Sequence, residues 1–267
     1  MLHRAAEYSM NKLESRRRRD GLIYDKLMIT NATDEAIMVI MNTYIEKGDE
    51  IILPIPTFAM FKFYAQLAEA RIKEILYTSN LTFPAKKVLT TINKKTRLVI
   101  LCNPNNPTGT PIDRKEIIQI IDKAQKYNAL VLLDEAYYQY SGEECLDLID
   151  KFNNLIIIRT FSKAYGLGGL RLGYAVSNPE IIKNMLKAGS PYSVNTVAMY
   201  AASVAIDDED YVKWYVNEVK RAKKILYDTL AKLKIKTYPT SGNFLIGIGT
   251  VKQTQQLIDA LNEILKK

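Results

Sequence analysis

A lysine that does covalent chemistry must sit where its amine can lose a proton, and the run Arg159–Tyr174, RTFSKAYGLGGLRLGY, offers such a place. Lys163 follows the apolar stretch LIIIR, which fixes it at a strand end beside Ser162. The Ser162 hydroxyl and the Arg171 guanidinium are donors suited to a phosphate monoester. A Ser-Lys pair alone is ordinary, because most lysines face solvent. Two other segments give it meaning. NALVLLDEAYYQY ends its apolar part at Asp134, where a parallel strand delivers a side chain to the carboxyl edge of a sheet. A third strand, RLVIL, runs into CNPNNPTGT at Cys102–Thr110, whose prolines and glycine force a turn and whose asparagines place amides at the same edge.

Each feature has a plain alternative: Asp134 as a helix cap, the Asn-Pro-Thr-Gly loop as a turn only, Phe58 as core packing. Their conjunction describes an amine, a carboxylate and phosphate donors at one edge, the set that pyridoxal phosphate requires. Its ring nitrogen must stay protonated for the ring to accept electrons, and Asp134 is the fixed carboxylate for that. Tyr137 is placed to reach the ring hydroxyl, and Asn106 to hydrogen-bond the ring oxygen. The glycines of GLGG do not form a dinucleotide loop. Counting from Gly166, the third glycine of that pattern falls on Arg171.

The chain resembles fold-type I pyridoxal phosphate enzymes of the class I and II aminotransferases, and within them the histidinol-phosphate branch. The resemblance rests on TNATDEAI at Thr30–Ile37, PTF at Pro56–Phe58, NPNNPTG, LDEAY at Leu133–Tyr137, RTFSKAYGLGGLRLGY and PYSVN at Pro191–Asn195. It implies that Lys163 carries the cofactor and shuttles a proton between substrate and cofactor carbons, with Asp134 on the ring nitrogen and Tyr137 and Asn106 on the ring oxygen. Thr33 and Asp34 open a helix whose backbone N–H groups face the phosphate, joined by Ser162 and Arg171, while Phe58 stacks on the ring. The implied reaction is transamination between a small-molecule amino donor, histidinol phosphate, and 2-oxoglutarate, carried out by a homodimer. An aromatic or other amino acid donor remains an alternative, as does a catalytically impaired remnant that still binds pyridoxal phosphate.

Departures from the family pattern favour the last alternative. The family's N-terminal arm motif and its interface tyrosine have no counterpart; the aligned stretch reads Ala5-Ala6-Glu7. GNFLI at Gly242–Ile246 runs almost directly into GIGTVKQTQQLIDALNEIL, and no arginine follows Arg221 to grip a substrate carboxylate. An N-terminal truncation and an internal deletion are the expected causes, with loss of apolar cover from the small domain. Ala32 stands where the family usually has glycine, which restricts the turn before the phosphate-facing helix.

The elements that must position these residues alternate along the chain. Strands are expected at Glu50–Leu53, Ile72–Leu76, Leu98–Leu101, Ala129–Leu133, Leu155–Arg159 and Gly173–Val176, with helices at Asp34–Tyr44, Phe58–Ala70 and Arg114–Tyr127. That alternation predicts an α/β fold: a three-layer α/β/α large domain over residues 1–178. Helices at Pro179–Lys187, Asn195–Ile206 and Tyr211–Leu233, with a short strand near Phe244, predict a smaller α+β domain over residues 179–267.

The 267 residues, 48% of them hydrophobic, suffice for a substantial core. The net charge of +8 includes Arg16–Arg19, which lack the interleaved aromatics or the module expected of a nucleic-acid binder and read as a solvated helix face. Cys102 and Cys145 imply no disulfide framework. His3 is the single histidine, so a histidine-based triad or zinc site is excluded and no metal is expected. No apolar run is long enough to span a bilayer and MLHRAAEYSMNK has no secretory core, so a cytoplasmic protein with no membrane partner is expected.

Overall fold

The computed structural model describes residues 24–243 and 251–265. His3, Ala5-Ala6-Glu7, Arg16–Arg19 and the strand expected near Phe244 lie outside the described residues. In chain order the elements are β1 (Leu27–Thr30), α1 (Ala32–Tyr44), β2 (Glu50–Ile55), α2 (Ala59–Leu67), β3 (Arg71–Leu76), α3 (Ala85–Thr91), β4 (Thr96–Cys102) and α4 (Arg114–Lys126). They continue with β5 (Leu130–Asp134), the one-turn α5 (Tyr138–Ser141), β6 (Leu155–Thr160), β7 (Gly173–Val176), α6 (Pro179–Ala188), α7 (Thr196–Ala205), α8 (Glu209–Lys232) and α9 (Val251–Leu265).

The strands form one seven-stranded sheet in the order β1-β7-β6-β5-β4-β2-β3. All neighbours from β6 to β3 pair in parallel, whereas β7 runs antiparallel to both β6 and β1. Parallel strands covered on both faces need apolar residues at successive positions, and β4 to β6 supply them. Val99, Leu101, Val131, Leu133, Leu155 and Ile157 face a core shared with Ile117, Ile120 and Ile121 of α4. Leu98, Ile100, Leu132, Ile156 and Ile158 face the opposite core, shared with Ile37 and Ile40 of α1. The period of two in these runs therefore produces the three expected layers.

β1 and α3 were not expected. Four residues, LMIT, are too few to display a strand period, and β1 exists because it pairs antiparallel with β7. Beyond Asn178 the chain continues in helices. Ile181, Ile182 and Met185 of α6 share the core of α1, and Ala198 and Ala202 of α7 pack with Phe161 and Leu172. The pattern change after Asn178 thus marks helices laid on the large layer. α8 and α9 pack together through Val216, Val219, Leu226, Leu230 and Ile258, in a cluster that also takes in Tyr137, Tyr140 and Ala164. Side-chain caps start these late helices: Asn178 accepts from Glu180 and Ile181 N–H, with Pro179 in the first turn, Asn195 accepts from Ala198 N–H, and Asp208 from Tyr211 N–H.

A buried ion pair ties the ends of β5 and β6. Glu135 is 0% exposed and Arg159 3%. Arg159 Nε and Nη2 donate to Glu135 Oε2 at 2.9 and 2.6 Å, Nη2 also donates to Glu144 Oε2 at 2.8 Å, and the guanidinium lies 3.9 Å from the centre of the Tyr138 ring. Glu135 Oε1 accepts the Cys145 N–H at 2.6 Å. Burial disfavours the Arg159 charge, and the carboxylates and ring around it more than restore it, holding its pKa well above the ordinary arginine value. Breaking such a pair strands a charge in the core at a cost of about 3–5 kcal/mol. Arg159→Met is expected to lower stability by that amount in urea unfolding, and Glu135→Gln added to it is expected to recover most of the loss. A double variant no more stable than the single one would contradict the ion-pair account.

Candidate functional site

Three strand ends converge at the carboxyl edge of the sheet. In the parallel register Cys102 pairs with Asp134 and Asp134 with Ile158, so the loops after β4, β5 and β6 leave at the same height. Asn103 N–H donates to Asp134 O and Glu135 N–H to Ile158 O, extending the ladder past the strands. Every site residue expected from the sequence lines one cleft at this edge: Thr33 and Asp34, Phe58, Asn106, Asp134 and Tyr137, Ser162 and Lys163, and Arg171. Ala32, Ala136 and Thr160 line it too, and sequence reasoning missed the last two.

Asp134 is the electrostatic centre of the cleft. Its Oδ1 accepts the Ala136 N–H at 2.8 Å. Burial pushes its carboxyl up to about 7, against the pull of that N–H and of the Lys163 ammonium, while Glu135 and Asp34 add to the rise. A carboxylate so poorly compensated favours a cation beside it. Tyr137 is 5% exposed, its ring centre lies 5.2 Å from Lys163 Nζ, and burial raises its phenol far above the ordinary tyrosine value, so it stays a neutral donor. Asn106 Nδ2 donates to Tyr137 Oη at 3.5 Å, which brings an amide and a phenol together in the cleft. Phe58, at the start of α2, is half-buried and set edge-on to Phe61 at 5.8 Å between ring centres.

The opposite end of the cleft suits an anion. Asn31 precedes α1 without capping it through its side chain, and Asn31 N–H itself donates to Glu35 Oε2 at 2.5 Å. The first turn of α1 lines the cleft through Ala32, Thr33 and Asp34, so the positive end of the helix dipole lies at this end of it. Gly173 makes this approach possible: a Cβ there would stand 2.9 Å from Ala32 C and Thr33 N. Arg171 adds a full charge. Its Nη2 donates to Asp34 Oδ2 at 2.6 Å and Nη1 to Gly168 O at 3.2 Å, in a left-handed backbone of φ 54°. The Asp34 side chain thus engages Arg171, a contact that the expected role of its backbone N–H did not include. Thr160 Oγ1 lies 2.9 Å from Ser162 Oγ and accepts the Ser162 N–H at 3.1 Å, placing two hydroxyls side by side. The signal for Thr160 was present in RTFSK, where the strand's last hydroxyl stands two residues before Ser162.

Amine, buried carboxylate, neutral donor pair, aromatic face and anion cradle fit a phosphorylated, cationic aromatic aldehyde at every point. The sequence profile described as aminotransferase class I and II matches residues 8–265. The chain belongs to that family. It is 38% identical over 228 residues to the histidinol-phosphate aminotransferase of Thermoanaerobacter sp. (strain X514), covering 85% of this chain. It spans 64% of that relative's length. In fold it is similar to a putative histidinol-phosphate aminotransferase from Erwinia carotovora atroseptica, with a TM-score of 0.91 at 21% identity over 99% of this chain and 87% of the other. It is similar also to the histidinol-phosphate aminotransferase from Sinorhizobium meliloti solved in complex with pyridoxal-5'-phosphate, with a TM-score of 0.80 at 23% identity over 89% of this chain and 65% of the other. A seven-stranded mixed sheet between helices is thus the fold that these aminotransferases share with this chain.

Two outcomes test this account of the site, one of its backbone and one of its charge. Ala32 adopts φ 63°, a left-handed conformation that costs a residue with a Cβ about 1–2 kcal/mol, whereas glycine loses about 0.5–1 kcal/mol more chain entropy. Ala32→Gly is expected to raise stability by about 0.5–1 kcal/mol in urea unfolding, and a loss of that size would show the turn unstrained. Asp134 has its folded pKa raised, so its contribution to stability is complete below the unfolded value of about 3.9 and is lost as pH rises through about 7. Without ligand, Asp134→Asn is therefore expected to stabilise the chain by about 1–4 kcal/mol at pH 8 and by little at pH 4. Equal effects at both pH values would remove the buried charge from the account.

Proposed function

We propose that this chain is a pyridoxal phosphate-dependent aminotransferase whose reaction joins histidinol phosphate, the amino donor, to 2-oxoglutarate, the acceptor. The observation that carries the reading is the convergence of Lys163, Asp134 and Arg171 on one cleft from three separate segments. The relatives' names supply the donor. When bound, pyridoxal phosphate supplies an aldehyde that condenses with amines and a ring that accepts electrons from the adjacent C–H bond.

The residues divide that work by chemistry. Lys163 Nζ would hold the cofactor and, once displaced by the donor's own amine, would be the free base positioned to carry a proton between donor and cofactor carbons. Asp134 keeps the ring nitrogen protonated, and the cation there offsets the burial of its carboxylate. Asn106 and Tyr137 donate to the ring oxygen, while Phe58 covers a ring face. Thr33, Asp34 and Ser162 give N–H and hydroxyl donors, and Arg171 a guanidinium, to the phosphate. A homodimer in the cytoplasm completes the reading. Among the described residues, Tyr192, Val197, Tyr200 and Val204 expose apolar surface near the PYSVN stretch, and no helix is long and apolar enough to cross a membrane.

A second reading, a cofactor-binding form impaired in turnover, is favoured by the cleft's lining: among the described residues Arg171 is its one arginine, and the phosphate takes it. Losing a bidentate carboxylate grip costs the oxoacid orientation, and histidinol phosphate carries no carboxylate to lose.

Borohydride treatment of the chain with pyridoxal phosphate is expected to fix the cofactor mass on the peptide containing Lys163, and Lys163→Ala is expected to abolish both this label and the visible absorption band. A label on another lysine would overturn the assignment. Single-turnover conversion by histidinol phosphate, followed by slower return with 2-oxoglutarate, is the expected kinetic pattern. Absence of any conversion with an intact label would decide for the impaired form.

A further inference from the structure

Asn105 does not line the cleft, yet its contacts set the positions of two residues that do. It is 1% exposed. Its Oδ1 accepts the Thr57 hydroxyl at 2.8 Å, and its Nδ2 donates to Pro56 O at 2.9 Å and to Thr108 Oγ1 at 2.8 Å. Its backbone is engaged as well: Asn105 N–H donates to Thr110 O at 2.9 Å, and Asn105 O accepts the Gly109 N–H at 2.7 Å. Pro56 and Thr57 lead directly into Phe58 after β2, whereas Asn105 leads directly into Asn106 after β4. One amide thus bridges the loop that carries the aromatic face and the loop that carries the ring-oxygen donor.

We propose that Asn105 is a positioning residue that fixes Asn106 and Phe58 relative to one another, so that one rigid unit presents the donor and the aromatic face to the cofactor ring. The inference rests on the cofactor reading given above. Only an asparagine-sized amide serves: the site uses one acceptor and two donors from the same planar group. A carboxylate there would turn lone pairs toward the Pro56 carbonyl, and a glutamine would be one methylene too long for a closed site. The consequence is chemical as well as structural. If the Asn106 donor shifts away from the ring oxygen, that oxygen retains its proton to higher pH.

The test measures pyridoxal phosphate dissociation by equilibrium dialysis, and the pH midpoint of the visible band of the cofactor-bound protein. The variants are Asn105→Ala, Thr57→Val, Asn106→Ala and the double Asn105→Ala with Asn106→Ala. Asn105→Ala is expected to weaken cofactor binding about tenfold, the effect of losing a buried hydrogen bond, and to move the midpoint upward toward that of Asn106→Ala. Thr57→Val, which removes the hydroxyl bonded to Asn105 with little change of shape, is expected to move it part of the way and decides the matter should Asn105→Ala not fold. Because Asn105 acts through Asn106, the double variant is expected to shift the midpoint no further than Asn106→Ala alone. A wild-type band with unchanged midpoints in Asn105→Ala and Thr57→Val, or additive shifts in the double variant, would overturn this inference alone. A wild-type chain that develops no band would overturn the cofactor reading and this inference with it.

Discussion

The parallel register of β4, β5 and β6 is the constraint from which the site follows. Strands paired in parallel all end at the same edge, so the chain must return across the sheet between them, and each return leaves a loop at the carboxyl end. Cys102, Asp134 and Ile158 stand level in that register. The Asn106 loop, the Asp134–Tyr137 turn and the Ser162–Lys163 turn therefore open side by side, although dozens of residues separate them in sequence. A slip of one residue would carry Asp134 to the other face of the sheet, among the isoleucines of α4. The apolar runs that fill both cores thus fix the site's geometry as well as the fold.

Two adjacent carboxylates at the end of β5 show how that framework separates structure from chemistry. Glu135 is answered at close range by Arg159 and the Cys145 N–H, a settled arrangement that joins β5 to β6 and to the loop beyond α5. Asp134 receives the Ala136 N–H and only a more distant attraction from Lys163, so its charge is held under strain. Arg171 follows the same logic with the opposite sign. Its Asp34 partner is part-exposed, and the N-terminus of α1 beside it has no side-chain cap. The cleft therefore offers an undercompensated negative centre at one end and a lightly held positive centre at the other.

Much of this was legible in the sequence because strand ends carry their own signal. The runs closing at Cys102, Asp134 and Thr160 are apolar, of strand length and followed at once by polar side chains, so the elements and the residues they deliver were readable together. β1 escaped because four residues cannot show a period, and its pairing with β7 is a long-range event. Asn105 and Thr57 escaped for another reason. Their roles lie in contacts between two loops, and NPNNPTG reads as a turn whichever asparagine bridges and whichever faces the ligand.

Loss of apolar cover was the expected consequence of the short connection between Gly242 and the last helix, and the packing of α8 and α9 bears on it directly. Val219, Ala222, Leu226 and Leu230 of α8 form one cluster with Ile258 of α9 and with Tyr137, Tyr140 and Ala164 of the large unit. Ala164 follows Lys163 and Tyr137 faces the cleft, so α8 backs the site as well as covering itself. A second tie comes from the segment before the undescribed residues. Lys223 Nζ donates to Thr240 O at 3.1 Å and Gly242 O at 3.2 Å, Tyr227 Oη donates to Tyr238 O, and Ser241 N–H donates to Gly109 O at 2.8 Å. Gly109 is at φ 69°, and a Cβ on it would fall on the Thr240 side chain, so glycine is needed there for both backbone and contact. The loop that carries Asn106 is therefore held from two sides, by Asn105 toward β2 and by Gly109 toward α8. The cofactor-facing half of the cleft thus has its support within the described chain, independently of any group that grips a substrate carboxylate.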